Sequence, residues 1–272
     1  MRNKDREQAA ILAAEFIKER IPAFKFKRAD IGVILGTGWG DSLAMDKLFS
    51  IPFESIPGFS CLHKISGHKR LLEVGVIAEK IVITLNGRIH LNEAPNDADI
   101  PKMVRLQTEI LCQLGIKNLI ITSAVGSLRQ ALNIGVVAII NGFVTLYAPD
   151  MPLWAGEFVS PEDTISDRLK KIADSQRREL ITKETGHVMV RGPFFEGRKY
   201  DKALLAASGA GVVGMSALPE ACVAALYGVK TLTLGFVTND DITEHSHQEN
   251  QKKAKKYSKL LGAFLSRIIS NI

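Results

Sequence analysis

The apolar run from Ile31 to Leu35 stops at Gly36-Thr37-Gly38-Trp39-Gly40, and this junction narrows the choice of folds most. Here a strand breaks into a glycine turn, whose bare backbone N–H groups, with the Thr37 hydroxyl, can surround an anion. A second break, Asn86-Gly87-Arg88-Ile89-His90, ends the apolar run from Lys80 to Leu85. Read as strand, Arg88 and His90 share a face, so a guanidinium fork and an imidazole converge on the same oxygens. A third short stretch, Gly214-Met215-Ser216, adds another glycine beside a hydroxyl.

Taken singly, none of these decides anything. Glycine turns join elements in every fold class, and an Arg-x-His pair serves as readily in surface ion pairing. The first turn is not a Walker loop, since no Gly-Lys-Ser/Thr follows, and Asp41 sits where a dinucleotide fingerprint needs its third glycine. Together the three stretches ask for a phosphate next to a nucleoside.

Strand-like runs at Gly32 to Leu35, Leu71 to Val76, Ile81 to Leu85, Asn118 to Thr122, Val136 to Ile140, His187 to Val190 and Thr231 to Val237 alternate with helical patterns. They predict an α/β chain with a mixed central sheet flanked by helices. The 272 residues, 46% hydrophobic and without linker or repeat, read as a single domain, 1–272. Within it, 1–28 forms an N-terminal helical segment and 246–272 a C-terminal helix. Ser246-His247-Gln248-Glu249 reads as a capping box that opens this helix, with Ser246 as N-cap. His247 then lies in the first turn, where the helix dipole favours neutral imidazole.

Cys61, Cys112 and Cys222 lack metal-ligand spacing and are odd in number, so a reduced, cytoplasmic setting is expected. Met1 to Arg20 lacks the apolar core of a signal peptide, and no run reaches membrane-spanning length, so no membrane partner is expected. The net charge of +6 is densest at Lys252, Lys253, Lys255 and Lys256, on the solvated face of an amphipathic helix. With no interleaved aromatics there, no nucleic-acid partner is expected. The six histidines form no zinc-type motif, so neither a metal nor a cofactor is expected.

Six ordered segments resemble the trimeric purine nucleoside phosphorylases of the nucleoside phosphorylase-I family. They are Ile34-Leu35-Gly36-Thr37-Gly38-Trp39-Gly40, Ser66-Gly67-His68, Gly87 to Glu93, Thr122-Ser123-Ala124-Val125-Gly126, Gly192-Pro193-Phe194-Phe195-Glu196, and Val213 to Glu220 followed by Val237-Thr238-Asn239. The resemblance implies the nucleoside phosphorylase-I fold and reversible phosphorolysis of 6-oxopurine ribonucleosides or deoxyribonucleosides. It implies phosphate binding by Thr37, His68, Arg88, His90, Ala124 and Ser216, base binding by Phe195, Glu196 and Asn239, and ribose binding at Asn92, Met215 and His247. Asn239, Glu196 and His90 would carry the catalysis, and the assembly would be a homotrimer.

Several residues depart from that pattern. Asn92 stands where the family has an aromatic, Val125 and Ser127 alter the Ala-Ala-Gly-Gly type loop, and Gly197 replaces a Thr. The Asp-His-Ile-Asn segment of the family is replaced by Asn141 to Leu146. Either His245 or His247 can match the ribose histidine, and Asp240 and Asp241 directly follow Asn239. Alternatives are a methylthioadenosine or methylthioinosine phosphorylase, a nucleoside hydrolase on the same fold, and a non-catalytic nucleoside-binding protein.

Overall fold

The structure is a computed structural model that describes residues 4–21, 29–40, 42–59, 69–94, 96–192, 197, 199–239 and 247–272. The helices are α1 (Lys4–Lys18), α2 (Asp99–Gln113), α3 (Asp167–Ser175), α4 (Asp201–Ala207), α5 (Leu218–Leu226), α6 (His247–Lys256) and α7 (Ser258–Asn271). The strands are β1 (Ile31–Leu35), β2 (Asp46–Pro52), β3 (Leu71–Ile77), β4 (Lys80–Asn86), β5 (Asn118–Ser127), β6 (Val137–Val144), β7 (Thr182–Met189), β8 (Val212–Gly214) and β9 (Lys230–Asn239).

Two layers of helix cover one sheet, and strand alternation sorts the side chains between them. On β1, Ile34 faces the layer of α1, α2 and α5, whereas Ile31, Val33 and Leu35 face α3, α6 and α7. On β5, Leu119 and Ile121 take the first face and Ile120 the second. β1 is buried on both sides, which is why it reads as an unbroken apolar run.

The pairings run β2-β3-β4-β1-β5-β8-β7-β6-β9, and β9 returns to β5. Half of the sheet therefore closes into a ring of β5, β8, β7, β6 and β9. Strand β5 belongs to both halves. Its beginning pairs with β1 as far as Ile34↔Ile121, its end pairs with β8 at Gly126↔Val213 and Ser127↔Val212, and β9 follows it along the other flank. On the flank away from β9, residues 122–125 thus have no strand beside them, among the described residues, where β1 stops and β8 begins. This gap positions the candidate site.

Sequence reading and structure agree to within two residues at β1, β3, β4 and β9, whereas β5, β6 and β7 are longer than expected. β2, an edge strand of mixed polarity, and the three-residue β8 were not anticipated. The predicted single C-terminal helix is two helices meeting at Tyr257, the N-cap of α7. The predicted cap Ser246 lies outside the described residues, and α6 begins one residue later, at His247. Its lysines 252, 255 and 256 are exposed while Ala254 is buried. Cys112 and Cys222 are free, each thiol pushed up to about 12, chiefly by burial, and Cys61 lies outside the described residues. Among the described residues no helix is long and apolar enough to cross a membrane.

In the closed half, His187 on β7 is 1% exposed and lies edge-on to Phe143, 5.6 Å between ring centres. Neither ring nitrogen has a hydrogen-bond partner among the described residues. Burial pushes its pKa down to about 4. In the unfolded chain the group titrates near the ordinary 6.5, so between pH 6.5 and 4 the unfolded state binds a proton that the folded state refuses. Stability from this source is complete above pH 6.5 and lost as pH falls towards 4, by about 2 kcal/mol at pH 5. His187→Leu removes that loss, so between pH 7 and 5 its urea midpoint falls less than that of the wild type. Equal falls would show that His187 is solvated or hydrogen-bonded in the folded protein.

Candidate functional site

The turn after β1 is fastened to the open stretch of β5. The Gly36 N–H donates to Thr122 Oγ1 (3.1 Å), which itself donates to Ile34 O (3.0 Å). Trp39, fully buried, donates through Nε1 to Ser123 O at 3.0 Å. Gly38 has φ +83°, and a Cβ there would fall 2.2 Å from Ala254 Cβ, so glycine lets α6 lie directly on the turn. Thr37 sits half-buried between these anchors.

Arg88 reaches the same place from β4, but not by strand alternation. β4 ends at Asn86, and Gly87 turns the chain at φ 100° with its N–H on Leu35 O (3.0 Å). The reading that Arg88 and His90 share a strand face is therefore corrected: they lie beyond the strand, and side chains from elsewhere set their positions. Gln107 of α2 clamps the backbone between them, accepting from Ile89 N at 2.9 Å and donating to Ile89 O at 3.0 Å. His90 N donates to Glu93 Oε1 at 2.8 Å, while Glu93 Oε2 pairs with Arg70 at 2.7 Å. The Arg88 guanidinium, 1% exposed, holds Glu220 Oε1 through Nη1 at 2.7 Å and donates through Nη2 to Thr122 O.

The turn rests on a polar layer. Asn86 Nδ2 donates to Glu73 Oε2 at 3.3 Å, and Glu73 pairs with Lys47 at 2.6 Å. A Cβ at Gly40 would come within 2.6 Å of Asn86 Oδ1, so this amide packs against the end of the turn.

Opposite, β8 ends at Gly214 and Ser216 precedes α5, whose first residue follows Ala217 at φ 82°. Ser216 is half-buried in front of the positive end of α5, where backbone N–H groups and the helix dipole favour an anion. Ala124 lies within the open stretch of β5, half-buried. Thr37, Arg88, Ala124 and Ser216 are therefore assembled from the ends of β1 and β4, from β5 and from the start of α5. Side groups collect at the carboxyl ends of parallel strands here, as in open α/β sheets generally.

Next to this cluster Asn92 Nδ2 lies 3.7 Å from Met215 Sδ, both side chains half-buried and against Gly192. Asn239 closes β9 with 3% exposure, paired with Gly126, its Oδ1 accepting from Thr238 Oγ1 at 3.2 Å. His247 is the first residue of α6. His68, Phe195, Glu196 and His245 lie outside the described residues, as do Asp240 and Asp241.

Sequence reasoning assigned no role to Glu220 or Glu93. Glu220 stood at the end of a quoted segment, but only the fold brings it to Arg88, 132 residues away. Glu93 stood three residues after His90, a spacing at which a carboxylate reaches back to a backbone N–H, as happens here.

Comparison with known proteins agrees with this geometry. The phosphorylase superfamily model matches residues 30–270. The purine nucleoside phosphorylase of Mycobacterium bovis is 30% identical over 273 residues, covering 98% of this chain and 97% of that one. Purine nucleoside phosphorylase 1 of Geobacillus stearothermophilus is 28% identical over 237 residues, covering 84% and 82%. Among solved structures, isoform 2 of the Schistosoma mansoni purine nucleoside phosphorylase, in complex with cytosine and ribose-1-phosphate, superposes with a TM-score of 0.84 at 24% identity, over 97% and 96% of the two chains. With its fold, its matched segment and its nearly full-length relatives in accord, the chain belongs to the nucleoside phosphorylase-I family of the phosphorylase superfamily.

Proposed function

We propose that this protein is a purine nucleoside phosphorylase that exchanges the base of a 6-oxopurine nucleoside for phosphate. The observation that carries the reading is the interrupted flank of β5. The Thr37 turn is fastened to that flank through Thr122, Ala124 lies on it, and Arg88 links it to the first turn of α5 through Glu220, which supports the reading. The names of the relatives support it.

The chemical difficulty in such a reaction is the leaving group. The purine departs from C1′ while the sugar takes on oxocarbenium character, so negative charge grows on the base and phosphate waits on the opposite face. In our reading Thr37, Arg88, His90, Ser216, the Ala124 N–H and His68 hold phosphate. Met215, Asn92 and His247 flank the ribose, and Phe195, Glu196 and Asn239 take the base. A carboxylate at Glu196 accepts from N1–H, while the Asn239 amide donates to O6 or accepts at N7 as charge develops. Catalysis then falls to Asn239, Glu196 and His90. We further propose one domain, a homotrimer and a cytoplasmic location; light scattering would give three times 29.8 kDa for that assembly.

Inosine mixed with the protein tests the reaction. Hypoxanthine release that requires phosphate is expected. Release without phosphate would indicate a hydrolase, and binding without turnover a nucleoside-binding protein. Arg88→Lys keeps a cation beside Glu220 but loses the fork, so its KM for phosphate should rise tenfold or more, about 1.4–3 kcal/mol, with the inosine KM within twofold. An unchanged phosphate KM would remove Arg88 from the phosphate site.

Base choice tests Glu196 and Asn239. A site built for particular purine edges rejects analogues that leave its groups unpaired, by about 3 kcal/mol when it is dry. Inosine or guanosine should be cleaved well and adenosine poorly. Asn239→Asp supplies an acceptor for a 6-amino group, so kcat/KM for adenosine relative to inosine should rise. A wild-type preference for adenosine would overturn the substrate while leaving phosphorolysis in place. At the sugar, His247→Ala should raise the KM for inosine and scarcely affect 5′-deoxyinosine; equal losses would remove His247 from the 5′-hydroxyl.

A further inference from the structure

We propose that Glu220 is a buried counter-ion that lowers phosphate affinity through Arg88, so that the anion exchanges instead of staying bound. The proposal rests on the reading of Arg88 as a phosphate ligand. Glu220 is 1% exposed, and its Oε1 meets Arg88 Nη1 at 2.7 Å. Its other oxygen, Oε2, has no hydrogen-bond partner among the described residues. A carboxylate so placed is costly to bury, and the pairing with Arg88, together with its seat in the first turn of α5, offsets that cost.

Position and charge are separable here because other groups already place Arg88. Its Nη2 is held by Thr122 O, a Cβ at Gly36 would stand 2.7 Å from Nη2, and Gln107 grips the adjoining Ile89 backbone on both sides. Glu220 is therefore a positioning residue of an electrostatic kind. Gln at 220 keeps the volume and an acceptor for Nη1, and removes only the charge. A carboxylate across the guanidinium would lie roughly 6 Å from bound phosphate, near enough at an effective dielectric of about 20 to change affinity tenfold or more.

Phosphate binding is read by isothermal titration and by the phosphate-dependent rise in Tm. For Glu220→Gln the dissociation constant for phosphate should fall at least tenfold, the phosphate-dependent rise in Tm should grow, and the inosine KM should stay within twofold. Glu220→Asp, which restores the charge on a shorter arm, should return phosphate affinity to within about threefold of wild type. If the Gln variant folds only with a counter-ion, millimolar phosphate in the refolding buffer should rescue it and sodium chloride of equal ionic strength should not. Affinity unchanged or weakened in Glu220→Gln, an Asp variant that behaves like Gln, or failure of phosphate to rescue folding would each overturn the proposal. Wild-type protein that binds no phosphate would overturn the phosphorolysis reading with it; wild type that binds phosphate as tightly as the Gln variant would overturn the role of Glu220 alone.

Discussion

One strand that serves two sheets sets the terms for the rest of the molecule. β5 leaves β1 after Ile121 and meets β8 only at Gly126, so although β9 pairs with the stretch between, its open flank has no ladder partner among the described residues. Two of its carbonyls are met by long side chains: Thr122 O by Arg88 and Ser123 O by the Trp39 indole. The Thr122 hydroxyl takes the Gly36 N–H. Each group that closes part of the gap also carries a piece of the Thr37 turn, or of the chain that follows β4, to it. The gap and the site are consequently one feature, and a strand added to fill it would abolish both.

Bringing Arg88 into so dry a place creates a charge that must be balanced. Glu220 supplies the balance from the first turn of α5, tying β4 to that helix across the site. Arg70 and Glu93 repeat the arrangement beside His90. Two buried acid–base pairs thus sit beside the same opening, and each has one partner on the chain following β4. Removing one member of such a pair costs about 3–5 kcal/mol, because the other is left buried and uncompensated. Both arginines are therefore balanced by carboxylates within the protein.

Legibility in the sequence followed burial and local spacing. β1, β3, β4 and β9 were readable because strands buried on both faces read as mostly apolar runs, and the glycine turn was readable because it ends one of them. β2 was missed because an edge strand mixes Asp46 and Lys47 with Phe49 and Ile51, and β8 because three residues carry no period. The break at Tyr257 went unseen because Ala254, Leu261, Phe264, Leu265 and Ile268 keep helical spacing across it and all are buried. Arg88 was found by its motif and given the wrong mechanism, since nothing local reveals that Gly87 bends the chain away from strand geometry. Glu220 had no assigned role at all, for a pairing across 132 residues leaves no local trace.

The departure at Asn92 takes on meaning in the same way. An amide cannot stack on a sugar, but it reaches Met215 Sδ at 3.7 Å and lies against Gly192, so it fixes the thioether that would otherwise move freely. In the site we propose, the surface offered to the ribose would then be a braced methionine in place of an aromatic ring. Helix α6 is not independent of the Thr37 turn: Ala254 presses on Gly38 while His247 begins the same helix, two turns away. Any shift of α6 that moves His247 must slide Ala254 over a position where only glycine fits. In the site we propose, sugar and phosphate would thereby be held to one geometry by the contact between the Gly38 backbone and the Ala254 methyl, which is close only because position 38 carries no side chain.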